Sequence, residues 1–132
     1  MSARFFVDEN DLALGKALTE AHDGVVYPGH PDLPEVPRQT PDDVWLPIIG
    51  ARRLVVITRD KRIRYRPVER RAWLIHLVRG FVLTGTGSQS TAESVAILER
   101  HWPTIVAVVE TNPQGPWMQA VTSGGLRPIE LA

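Results

Sequence analysis

Acidic side chains recur in this chain where separate segments could gather them. Asp8 follows the apolar run Phe5-Phe6-Val7, and Asp42 and Asp43 sit in Thr40-Pro41-Asp42-Asp43-Val44-Trp45-Leu46. Asp60 follows Val55-Val56-Ile57-Thr58-Arg59. Carboxylates drawn together repel unless a cation or a proton holds them. Mg²⁺ or Mn²⁺ suits that task, taking oxygen ligands and keeping waters beside one or two carboxylates. Such an ion lowers the pKa of a coordinated water and neutralises charge developing on a phosphodiester. Asp8 and Asp60 are the natural inner ligands. Asp42, with Asp43 as its close competitor, adds a further ligand or positions a water. Thr58, two residues before Asp60, shares its face of an extended chain and can bond a carboxylate or a water. Each acid also has a blander reading, Asp42 and Asp43 as helix-dipole partners and the others as turn formers.

The second signal is basic. Residues 52 to 71 hold nine of the fifteen basic residues and only Asp60 and Glu69 as acids, a formal +7 in a chain whose net charge is zero. Charge clustered this way can steer and hold an acidic ligand on a neutral protein. Arg59, Lys61, Arg62 and Arg64 begin at the metal-ligand candidate itself and could contact phosphates, with Tyr65 offering a stacking face. A metal beside a basic surface is the equipment of a metal-dependent nuclease. Other chemistries lack support. There is no cysteine, and His22, His30, His76 and His101 show no zinc spacing. Gly85-Thr86-Gly87-Ser88 lacks the lysine of a P-loop.

The elements that must position these residues follow from local patterns. Arg4 to Val7 reads as a buried strand, and Leu12, Leu14, Ala17, Leu18 and Ala21 recur at helical spacing behind Asn10 or Asp11 as cap. Val25-Val26-Tyr27 is a second strand. Pro28, Pro31, Pro34, Pro37 and Pro41 mark a long loop. Thr40 is the expected N-cap of the next helix, with Pro41 in its first position. Pro47 predicts that this helix is short or bent. Leu54 to Thr58 is continuously apolar up to its last residue, as a central parallel strand is. A helix over Val68 to Arg79, stopped by Gly80, precedes a strand at Phe81 to Thr84. Thr91 to His101 is helical; Thr104 to Val109 reads equally as strand or helix end. Trp117 to Leu131 has the pattern of a β-hairpin around Ser123-Gly124-Gly125.

This alternation predicts one domain over 1–132, an α/β fold with helices on both faces of a mostly parallel sheet and a C-terminal hairpin. Sites on such sheets form at the carboxyl ends of the strands, where Asp8 and Asp60 fall and where a helix begun at Asp42 can reach them. No apolar run approaches the roughly 18 residues that span a bilayer, and the N-terminus does not read as a signal peptide, so the expected location is the cytoplasm with no membrane partner.

Phe5-Phe6-Val7-Asp8-Glu9-Asn10, Thr40-Pro41-Asp42-Asp43-Val44-Trp45-Leu46 and Val56-Ile57-Thr58-Arg59-Asp60-Lys61-Arg62-Ile63 together resemble the PIN-like nuclease family, in particular its VapC-type toxins. Weaker echoes run through Phe81 to Thr84 and Gly115-Pro116-Trp117. The resemblance implies a three-layer α/β/α, Rossmann-like domain acting as a Mg²⁺- or Mn²⁺-dependent ribonuclease, with metal on Asp8, Asp42 and Asp60. It also implies an RNA substrate, a cognate antitoxin and frequent homodimers. The family commonly adds a fourth acid, for which Glu69, Glu93, Glu99, Glu110 and Glu130 remain. Two other readings stand beside it. One is a binding module for nucleic acid or an antitoxin that kept the fold and lost catalysis. The other is a receiver-like phosphotransfer domain, which also uses acids at strand ends with a Thr and a Lys.

Overall fold

The computed structural model describes residues 4–8, 12–60, 62–63, 65–84 and 90–131. Six strands form one sheet: β1 (Phe5–Val7), β2 (Val25–Val26), β3 (Val55–Thr58), β4 (Arg79–Leu83), β5 (Trp117–Thr122) and β6 (Gly125–Ile129). Their order is β2-β1-β3-β4-β5-β6, with β1 to β5 parallel and β6 antiparallel to β5. The helices are α1 (Leu12–Ala21), α2 (Asp42–Arg52), α3 (Pro67–Ile75) and α4 (Thr91–Thr111).

The pleat splits the core into two layers. Phe6, Val56, Val82 and Met118 pack with Trp45, Leu46, Ile49 and Trp73 of α2 and α3. Phe5, Val7, Val55, Ile57 and Phe81 pack with Leu14 and Leu18 of α1 and Leu98, Ile105 and Val109 of α4. Adjacent residues thus face opposite helical layers, as period-two alternation requires. The expected α/β/α sandwich, mostly parallel sheet and C-terminal hairpin are all present. Residues 28–41 form turns, held down by Leu33 and Val36, both fully buried. That anchoring delivers the start of α2 to the carboxyl edge of the sheet.

Several local expectations change. The N-cap of α2 is Pro41 and not Thr40, with no side-chain cap; the Thr40 hydroxyl donates to the Pro37 carbonyl instead. Pro47 lies inside α2, which continues to Arg52. It forfeits only the bond to Asp43, an exposed residue whose carbonyl can meet water. The third helix ends at Ile75, and Gly80 belongs to β4. Gly80 allows close approach: a Cβ there would lie 2.7 Å from the Trp73 ring and 2.8 Å from the Val56 carbonyl oxygen. The ambiguous stretch after Pro103 is helix. Ser94, Leu98, Ile105 and Val109 form one buried stripe that carries α4 through the proline, which is itself exposed.

Candidate active site at the carboxyl edge

Strand parity sets the first half of the site. Asp8 continues β1 on the side of Phe6, and Thr58 ends β3 on the side of Val56, so both face the α2/α3 layer. The Asp8 amide donates to the Ile57 carbonyl at 3.0 Å, extending the pairing by one residue. Asp8 and Thr58 are both buried, and the Thr58 hydroxyl donates to Asp8 Oδ2 at 3.0 Å. The same Thr58 oxygen accepts from the Asp60 amide at 3.0 Å. One hydroxyl therefore fixes an acid from β1 and the turn that carries an acid from β3. The Asp60 carboxylate in turn accepts from the Arg62 amide at 3.1 Å, tightening that turn.

The second half comes from α2 and α3. Trp45 Nε1 donates to Asp42 Oδ1 at 3.0 Å, while the Trp45 ring packs on Phe6 with centroids 4.7 Å apart. The core thus orients Asp42 toward the strand-end acids. Asp43, one residue on, is exposed. Arg66, immediately before α3, lies between the acids. Its Nη2 donates to Asp60 Oδ2, its Nη1 to Glu69 Oε1 at 3.2 Å, and Nη1 stands 3.6 Å from Asp42 Oδ2. Arg66 is the cation that holds Asp42, Asp60 and Glu69 together. Burial pushes the Asp42 carboxyl above the usual carboxylate range; the Trp45 bond and Arg66 oppose this, and Asp60 and Glu69 reinforce it.

The basic residues divide. Arg59 is half-buried and faces Glu93 electrostatically, while Arg62 and Tyr65 are exposed. Lys61 and Arg64 lie outside the described residues, as do Glu9, Asp11 and residues 85–88. Arg70 Nε donates to the Leu131 carbonyl at 2.6 Å, a structural tie to the C-terminal segment. His30 accepts from the Asp32 amide and packs edge-on to Tyr27, apart from the acids.

Sequence reasoning missed Arg66 and Thr84, and left Glu69 undistinguished among five candidates for a fourth acid. Glu69 occupies the first turn of α3 just as Asp42 occupies the first turn of α2. That shared position was the available signal, although Glu93 holds the same place in α4 and only the contact with Arg66 sets Glu69 apart. Glu93 instead closes a capping box with Ser90, and Glu99 pairs with His22. Arg66 was one member of a basic run, with nothing local to set it apart. Thr84, which follows β4 on this edge, has a buried hydroxyl with no partner among the described residues.

For a divalent ion the donors are of the right kind, being carboxylate and hydroxyl oxygens. Their arrangement is closed on a guanidinium. Among the described residues, no three carboxylates or imidazoles converge closely enough to share one ion.

A family model described as a PIN like domain matches residues 3–85, which span β1 to β4 with Asp8, Asp42, Asp60, Arg66 and Glu69. No curated protein and no solved structure matches the chain. No helix among the described residues is long and apolar enough to cross a membrane.

Proposed function

The chain belongs to the PIN-like domain family, and on that premise we propose that it is a Mg²⁺- or Mn²⁺-dependent endoribonuclease, the toxin of a toxin–antitoxin pair. The observation that carries the reading is the placement of Asp8, Asp42 and Asp60 at one sheet edge, Asp8 joined to the Asp60 turn through Thr58 and Asp60 linked to Asp42 through Arg66. Acids gathered from three chain segments at the carboxyl edge of a parallel sheet are hard to explain as unrelated turn formers. Asp8, Asp42 and Asp60 would hold the cation, with Glu69 as the fourth acid. A divalent ion there supplies charge neutralisation at the phosphodiester and a more acidic water.

The remaining roles belong to the chain itself. Thr58 keeps the Asp8 carboxylate aimed at the edge, and Trp45 does the same for Asp42. Arg66 balances the acids before substrate arrives and is placed to meet a phosphate when it leaves them. Arg59, Lys61, Arg62 and Arg64 hold the RNA backbone, and Tyr65 presents a face for a base. An acidic antitoxin segment would compete for the same arginines, and a homodimer would pair two such edges.

One observation favours a second reading. Arg66 pairs with Asp42, Asp60 and Glu69, a counter-charge from the chain itself that would also suit a binding module without catalysis. Incubating the purified protein with structured RNA and with DNA of the same sequence, in Mn²⁺, Mg²⁺ or EDTA, separates the two. Metal-dependent cuts in RNA support the nuclease. Salt-sensitive RNA binding that persists in EDTA, without cleavage in either metal, selects the inactive module.

A further inference from the structure

At the opposite, amino edge of the sheet lies a cavity of about 300 Å³, walled by Arg53, Leu54, His76, Leu77, Arg79 and Pro113 to Gly115. Arg53 precedes β3 and Arg79 opens β4; Arg4, before β1, is close enough to act on Arg79 electrostatically. Burial, and then the neighbouring Arg53 and Arg4, pull Arg79 below the usual arginine range, as expected of positive charge left uncompensated. Among the described residues none of the three arginines pairs with a carboxylate. Arg79 Nη2 donates to the Arg53 carbonyl at 2.6 Å, and Arg53 Nη2 to the Pro113 carbonyl at 3.2 Å. Each guanidinium carries five N–H donors, so most of that capacity is open.

Backbone conformation adds an independent sign. Left-handed residues follow both α2 and α3, Arg53 as the cap of α2 at φ 58° and Leu77 one residue past the His76 cap of α3 at φ 55°. In both, the following amide reaches back along the helix, Leu54 to the Ile49 carbonyl and Val78 to the Trp73 carbonyl. Glycine fills this position at lower conformational cost. Here two helices place a side chain there instead, and both side chains line the same cavity. Glycine appears in the walls behind them, where a Cβ on Gly50 would lie 2.4 Å from the His76 carbonyl oxygen and one on Gly115 2.1 Å from that of Leu77.

The carboxyl ends of α2, α3 and α4 converge at this edge, and arginines there also offset helix dipoles. That role accounts for positive charge at the edge. It does not account for an open cavity or for Arg53 in a strained position glycine would take. We propose that this cavity binds a phosphate monoester, gripped by Arg53 and Arg79 with Arg4 adding to the field and Leu54, Leu77 and Pro113 receiving an organic portion. The site is separate from the acidic edge and does not depend on nuclease activity there.

The test is calorimetric titration of the full chain with inorganic phosphate and with AMP, beside Arg53→Gly, Arg79→Gln and Arg127→Gln. Both ligands bind wild type and Arg127→Gln alike, since Arg127 is exposed on β6, outside the cavity. Arg53→Gly and Arg79→Gln each weaken binding by about tenfold or more. Arg53→Gly melts at or above the wild-type temperature, so its loss of binding is not unfolding. A 5′-phosphorylated oligonucleotide that outcompetes AMP and its own 5′-hydroxyl form assigns the phosphate to a nucleic-acid end; the reverse order assigns a small phosphorylated metabolite. Absence of saturable binding by phosphate and AMP, or binding indifferent to both variants, overturns the proposal.

Discussion

At the carboxyl edge of the sheet, Asp42 and Glu69 sit in the first turns of helices, and Arg66 draws them together with Asp60. At the amino edge, Arg4, Arg53 and Arg79 gather where helices end, and among the described residues no carboxylate answers them. Helix direction accounts for part of the contrast. Every helix in a parallel α/β fold points its positive end to one edge and its negative end to the other, so acids collect at the first and arginines at the second. The remainder is chemistry: one edge is closed on an internal ion pair, while the other keeps guanidinium donors turned to a cavity. A site that carries its own counter-ion must exchange it to bind a ligand. A site without one is ready for an anion.

Four substitutions test how separate the two edges are. The largest effect is expected from Trp73→Ala, which damages both. Trp73 is fully buried, covers Gly80 and donates Nε1 to the Trp117 carbonyl at 3.2 Å, tying α3 to β4 and β5. Denaturant melts should show a loss of about 3–5 kcal/mol. Nuclease activity and phosphate binding should fall together.

Arg66→Met should act on the acidic edge alone. In EDTA it costs about 1–3 kcal/mol, because Asp42, Asp60 and Glu69 lose their shared cation. Mn²⁺ should then raise the melting temperature of the variant more than that of wild type. Equal shifts in the two proteins would separate Arg66 from the metal site.

The raised pKa of Asp42 gives a smaller, pH-dependent effect. A carboxyl that binds its proton more tightly when folded stabilises fully below its unfolded pKa. That contribution is lost as pH rises through the folded value. In EDTA, Asp42→Asn should therefore gain on wild type as pH increases across this window and hold a constant difference above it. A gain that shrinks with rising pH would mean that Arg66 outweighs burial at this acid.

Arg53→Gly should have the smallest effect on stability and the most selective one. Relief of the left-handed conformation, about 1 kcal/mol, is offset by a lost dipole interaction of roughly 0.3–1 kcal/mol. Thermal melts should show no loss, and the acidic edge should respond to Mn²⁺ as in wild type.

What could be read from the sequence follows the range of the forces involved. Asp8, Thr58 and Asp60 were legible because strand alternation and strand ends are local, and Thr58 joins the two acids as its spacing implied. Asp42 could be told from Asp43 only once Trp45 had docked on Phe6 and taken hold of its carboxylate. Arg66 depended on how α3 packs beside α2, which no local pattern encodes, whereas Glu69 carried a local sign in the first turn of α3 that it shared with Glu93 in α4. Gly80 was misread because glycine has two uses, and close approach to Trp73 looks the same in sequence as a helix stop. Pro103 left the next segment undecided until the buried stripe from Ser94 to Val109 proved continuous.

The most direct test of the central claim is single-turnover cleavage of a labelled RNA in Mn²⁺ by wild type, Asp8→Asn and Asp60→Asn, each first shown to melt cooperatively. A nuclease at the carboxyl edge predicts metal-dependent cuts by wild type, reduced by about two orders of magnitude or more in both variants. Equal cleavage by all three proteins would contradict it and remove the acids at this edge from catalysis.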